Sequence, residues 1–156
     1  MLIRDISAEQ RSRRALEESQ ALSREFVDTM ENVLFISNPE RSHFEFLAGN
    51  AFHTLGVTPE QFERDSANML INMVEEDRSM LVERAQRERR LESTDITYRI
   101  NHPIKGLRWI RSLSRPRAST DGTLRVYGLA SDVTADRARE AEMESARDEA
   151  EAASRA

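Results

Sequence analysis

The stretch Ser93–Val133 constrains the fold more than any other part of this 156-residue chain, because it reads as three strands in succession. In "STDITYRINH" (93–102), Ile96, Tyr98 and Ile100 fall on one face. In "GLRWIRSLSRPRAS" (106–119), Trp109 and Leu113 share a face and Ile110 takes the other. In "TLRVYGLASDV" (123–133), Leu124, Val126 and Ala130 share a face. Asp121-Gly122 is a turn signal between the second and third strands.

Two more β-prone runs precede these. "NVLFIS" (32–37) and the alternating "HFEFLA" (43–48) flank the turn "NPERS", a hairpin pattern. Short helical pieces follow Gly49: "NAFHTLG", "TPEQFERD" and "SANMLINMV". Thr58 before Pro59 is an N-cap arrangement. Residues 76–91, "EDRSMLVERAQRERRL", are expected as one longer amphipathic helix marked by Met80, Leu81, Ala85 and Leu91. Two strands, short helices, one longer helix and three strands predict an α+β domain: a five-stranded antiparallel sheet with helices on one face.

The ends differ in character. Neither 7–31 nor 134–156 contains Gly or Pro, and both favour helix. Ser7 is a candidate N-cap for the first. An interrupted apolar stripe, Ile6, Leu16, Phe26, Val27 and Met30, marks one helix; Met143, Ala146, Ala150 and Ala153 form a short heptad seam on the other. These faces predict a parallel homodimer through the flanking helices, with the alanine-rich seam the weaker half. The ends also echo each other, "RDISAEQRSR" (4–13) against "SDVTADRARE" (131–140).

This order of elements resembles a PAS (sensory box) domain of the kind found in bacterial signalling proteins. The resemblance is carried by "GNAFHTLGVTPEQF", "EEDRSMLVERAQRE" and "ITYRINHPIKGLRWIRSLSRPRASTDGTLRVYGLASDVT", and covers about 32–134. The family's usual His-Pro before Glu-Asp-Arg is replaced here by Val74-Glu75. It implies an entrance linker helix at 1–31, a PAS domain at 32–134, and an exit helix or coiled-coil start at 135–156. The closing Asp132-Val133-Thr134 resembles the family's Asp-Ile/Val-Thr signature, where the last strand hands over to an exit helix. Val133 would anchor the strand end, Thr134 would cap the helix, and Asp132 would hold an Arg or backbone donors. "RDIS" then reads as the same signature left by a preceding sensor module. "ARDEAEAASRA" (146–156) resembles the helix before the phospho-accepting histidine helix of hybrid sensor histidine kinases. The implied parent is a histidine kinase in a two-component phosphorelay, with a cyclic-di-nucleotide cyclase as the alternative. Upstream sensor and downstream kinase output are the implied covalent partners.

No catalytic residue is expected in this fragment, since its Asp and Glu residues show no convergent pair suited to acid–base work. Cysteine is absent, which excludes LOV-type flavin adducts, disulfides and thiolate metal sites. Haem-binding relatives usually carry their ligand on the longer helix, and 76–91 holds no histidine. His43 and His102 stand at strand ends, and His53 is expected to be a partly buried polar residue. No cofactor and no metal are therefore expected, although a cofactor-binding sensor, with haem or flavin, stays open as another class. A purely structural dimerisation spacer is the third reading. Phe35, Phe52, Leu55, Phe62, Met73, Tyr98, Ile100, Ile110 and Val126 are the expected core, part of it able to line a ligand pocket. Basic residues at 108, 111, 115 and 117 read as a solvated strand face paired with Glu side chains. The net charge of −5 argues against a nucleic-acid surface. No apolar run approaches a bilayer span, so the fragment is expected to be cytoplasmic and without membrane contact.

Overall fold

The computed structural model describes residues 2–155; the side chains of residues 2–6 and 27–29 lie outside the described set. A long helix, α1 (Leu2–Thr29), leads into strands β1 (Val33–Ser37) and β2 (Phe44–Ala48). Helices α2 (Ala51–Leu55), α3 (Pro59–Arg64) and α4 (Ser79–Arg89) follow, with 3-10 turns at Ser66–Leu70 and Glu75–Asp77. Strands β3 (Thr94–His102), β4 (Gly106–Ala118) and β5 (Leu124–Asp132) precede the last helix, α5 (Thr134–Arg155).

The sheet order is β2-β1-β5-β4-β3, antiparallel throughout. β2 and β3 are therefore opposite edges, and the segment joining them must cross one whole face. That crossing segment supplies Leu55, Val57, Met69 and Met73, which pack on Val33, Tyr98, Ile100, Ile110 and Ala130 of the sheet. Period-two alternation sets the phase: on β4, Ile110, Ser112, Ser114 and Pro116 point inward while Arg111, Leu113, Arg115 and Arg117 point out. One close approach requires glycine. A Cβ on Gly128 would stand 2.0 Å from the Phe35 ring, so the bare backbone of β5 is what lets that ring lie flat across the neighbouring strand.

α3 starts as its sequence dictates. Thr58 Oγ1 accepts from the Gln61 N–H at 3.2 Å, and Gln61 Oε1 accepts from the Thr58 N–H at 2.9 Å, a capping box ahead of Pro59.

Three local expectations fail. Ser7 is not a cap, because α1 already starts at Leu2 and "RDIS" is helical. The helix-propensity penalties of Ile, Asp and Ser are only tenths of a kcal/mol each, too small to stop a helix whose neighbours favour it. The expected helix at 76–91 is divided, since Asp77 does not serve its first turn. Its carboxylate accepts from the Arg99 backbone N–H (2.8 Å), Nε (3.0 Å) and Nη2 (2.7 Å), which fastens a separate 3-10 turn to β3. Leu91 lies beyond the helix, exposed, at φ 62°. Its N–H donates to Glu88 O and that of Glu92 to Arg87 O, the pair of bonds that usually closes a helix on glycine.

Candidate functional site

Where β5 passes into α5, one hydroxyl joins three elements. Thr134 Oγ1 accepts from the Trp109 backbone N–H of β4 at 2.8 Å and donates to Asp132 Oδ1 at 2.6 Å. The same Asp132 oxygen accepts from the Thr134 N–H at 3.0 Å, while Oδ2 takes Arg108 Nε at 2.7 Å. The Val133 N–H donates to Trp109 O at 2.8 Å, so both main-chain groups of Trp109 are spent on this junction. From the first turn of α5, the Arg137 guanidinium lies 3.9 Å from the centroid of the Trp109 ring. Burial pushes the Asp132 carboxyl up, but the bonds from Arg108 and Thr134 outweigh it and hold the group below the usual carboxylate range. An ionised Asp132 thus ties the start of α5 to two strands.

On the inner face of the sheet a second arrangement sits between α4 and the β1–β2 turn. Three charged side chains are buried together: Glu88 at 0% exposure, Arg41 and Arg84 at 3% each. Arg41 binds Glu88 in bidentate fashion, Nη1 to Oε2 at 2.9 Å and Nη2 to Oε1 at 2.7 Å. Ser114 Oγ donates to Glu88 Oε1 at 2.7 Å and lies 2.5 Å from Thr94 Oγ1. Arg41 holds φ 59°, a conformation that costs a non-glycine residue on the order of 1–3 kcal/mol. The buried bidentate pair is what holds it there. Arg84 reaches Ser112 Oγ only at 3.4 Å and Glu88 Oε1 at 3.7 Å. Beside them is a cavity of about 20 Å³, room for roughly one water.

The histidines divide differently. His102 is the buried one: Nδ1 accepts from the N–H groups of Ile104 and Lys105, each at 3.1 Å, which places the ring proton on Nε2, 2.8 Å from Phe52 O. It locks the β3–β4 hairpin to α2. His53 is exposed, not partly buried, because its helix presents Thr54 and Leu55 to the core instead. His43 is exposed as well. Among the described residues, no group of three or more His, Asp or Glu side chains could hold a metal ion.

No family model matches the chain, and no curated protein does. Solved structures do. A domain of a histidine kinase from Haloarcula marismortui described as light and redox sensing superposes with a TM-score of 0.60 at 23% identity, over 73% of this chain and 99% of that one. The N-terminal domain of a diguanylate cyclase with PAS/PAC sensor from Marinobacter aquaeolei gives 0.57 at 18%, over 68% and 98%. A sensory box histidine kinase/response regulator from Burkholderia thailandensis gives 0.55 at 19%, over 78% and 91%. The chain has the PAS fold.

Within this PAS fold, the residues read from the sequence scatter over several places. Phe35, Leu55 and Tyr98 line the inner cavity. Met73, Ile100 and Ile110 are solid core, and Val126 is fully buried. Phe52 and Phe62 belong to a separate groove of about 410 Å³ between β2 and α3; Phe52 is 38% exposed, its ring tilted against that of His102 at 6.0 Å and its main-chain oxygen bonded to the same histidine. Asp132, Val133 and Thr134 converge at the junction, but Thr134 is not an N-cap. Its hydroxyl serves β4, and the free helix N–H falls to Asp132. The basic face of β4 pairs with aspartates, not glutamates: Arg111 with Asp95, and Arg108 with Asp132. Across the sheet, Arg125 of β5 takes Glu45. On the helices, Leu16, Phe26, Met143, Ala146 and Ala150 are exposed and Met30 is half-buried. The Ile6 and Val27 side chains lie outside the described residues.

Sequence reading missed Arg41, Arg84 and Glu88 altogether. A signal existed. Ser112 and Ser114 stand in phase with inward Ile110, and Arg84 and Glu88 lie at i,i+4 beside buried Ala85.

Proposed function

We propose that the chain is a sensory and signal-relay PAS module of a multidomain signalling protein, which hands its state onward through α5. The observation that carries this is the Thr134 hydroxyl, bonded at once to the β4 main chain and to Asp132. A change in sheet geometry at Trp109 must alter the direction of α5, or break that bond. A single hydrogen bond contributes about 1 kcal/mol, and bonds to a charged group roughly 1.5–3 kcal/mol. Such energies match the ~1–3 kcal/mol typical of coupling between sites.

The parent is read as a sensor histidine kinase in a two-component phosphorelay. Support comes from the names of two matching structures, which are histidine kinases, and from the helix-favouring sequence at 146–156. A diguanylate cyclase parent is the second reading, favoured by the Marinobacter structure. The module is read as a cytoplasmic homodimer joined through α1 and α5, whose exposed Leu16 and Met143 need cover. Among the described residues no helix is long and apolar enough to cross a membrane. Neither haem nor flavin-adduct chemistry is part of this reading: the longer helix carries no histidine and the sequence has no cysteine.

The test is Asp132→Ala. Its far-ultraviolet circular dichroism should stay near wild type, while stimulus-dependent phosphorylation in the full-length parent becomes constant. Normal regulation in that variant would sink the relay assignment. Incubating the parent with labelled ATP or with GTP separates kinase from cyclase.

A further inference from the structure

The charges buried on the inner face do not balance. Glu88 is fully used: Oε1 accepts from Arg41 Nη2 and Ser114 Oγ, and Oε2 accepts from Arg41 Nη1. Arg41 and Arg84 bring two guanidinium groups to this single carboxylate. Arg84 receives the remainder, a 3.7 Å approach to Glu88 and a long bond to Ser112, and its Nε has no hydrogen-bond partner. Burial first and repulsion by Arg41 second lower its pKa to about 10, so at neutral pH it still carries its charge. Tyr98 offers no negative charge, because burial raises its pKa further. One positive charge is left over in a place that water scarcely reaches. A charge in that position calls for a counter-charge.

The space for one lies alongside. The cavity of about 20 Å³ is bordered by Arg41, Arg84, Ser112 and Tyr98 together with apolar side chains, Phe35 and Met69 among them.

We propose that this cavity is a binding site for a compact monovalent anion of the halide class, held by the guanidinium group of Arg84 and the hydroxyl of Ser112. One excess charge sets the valence. A volume near that of a single water sets the size and excludes sulfate and phosphate. The anion would give the Arg84 Nε its missing acceptor and neutralise the cluster. The proposal deepens the sensor reading by naming the ligand class, and it places the occupant against β4, three residues along the strand from Trp109.

Bromide is the probe, because it can be located directly. Crystals of the chain soaked in sodium bromide should show an anomalous peak within hydrogen-bond reach of Arg84 Nε. In solution, the unfolding temperature at fixed ionic strength should rise saturably with bromide and not with sulfate. Arg84→Gln leaves Arg41 and Glu88 as a one-to-one pair, so it should fold and should weaken the bromide response at least tenfold. Exposed Arg90→Gln should keep the full response. A wild-type response identical for bromide and sulfate, or a cavity in the soaked crystal holding water alone, would overturn the site. If Arg84→Gln does not fold, the anomalous map still decides. If bromide binds but spin-label distances between β3 and α5 stay fixed, the anion site stands and the sensor reading falls instead.

Discussion

Replacing Glu88 is the sharpest test of how the inner face is held. The side chain is wholly buried and bonded to Arg41 twice and to Ser114 once. Glu88→Ala leaves Arg41 and Arg84 facing each other with no carboxylate between them. Breaking a buried pair by removing one partner costs about 3–5 kcal/mol. A domain of this size has a total stability of ~5–15 kcal/mol, so the variant should be close to unfolding. At ~4 °C per kcal/mol the melting temperature should drop by roughly 12–20 °C. Glu88→Gln should recover little of this, since it keeps the shape but not the charge. The triple variant Arg41→Met, Arg84→Met, Glu88→Leu should recover most of it, because an apolar replacement of a whole buried ion cluster is often neutral or better. Equilibrium urea unfolding, followed by the fluorescence of Trp109, the one tryptophan in the sequence, gives each free energy. If Glu88→Ala lies within about 1 kcal/mol of wild type, the charges are not buried in solution as described, and the reasoning from their imbalance goes with them.

Arg137→Ala should remove the stacking on Trp109, cost only about 0.5–1 kcal/mol, and shift the tryptophan emission; an unchanged spectrum would mean that α5 does not rest on the ring. Asp77 is held below the usual carboxylate range by its bonds to Arg99, so its contribution is complete above the unfolded value of ~3.9 and is lost as pH falls through the lower folded value; in Asp77→Asn the acid limb of the stability profile should flatten. Leu91→Gly should stabilise by roughly 0.5–1 kcal/mol, since glycine adopts φ 62° without strain and the exposed leucine contributes little packing; a loss of stability in urea titration would contradict this.

Much of the sheet was legible because its signal is periodic. Tyr98, Ile110 and Val126 sit where alternation puts them, and that phase fixes which face meets the crossing segment. The same phase pointed Ser112 and Ser114 inward, yet serines carry no hydrophobic signal to mark them as interior. Glu88 and Arg84 carry no sequence mark of an interior site, since their burial depends on the turn carrying Arg41, 47 residues from Glu88, closing over them. Leu91 read as helical because leucine favours helix and rarely adopts a left-handed backbone. Thr134 read as a cap because the residue type suits one; only the neighbouring strand shows that its hydroxyl is already taken.

The sheet order has a consequence at the level of the gene. The first and last strands are neighbours: Val33 pairs with Ala130, two residues before β5 ends, so chain entry and chain exit lie about one strand spacing apart. A unit whose two ends meet can be spliced into a continuous helix, copied in tandem or deleted while displacing the flanking helices very little. Recombination could then lengthen or shorten an array of such units without redesigning what stands on either side.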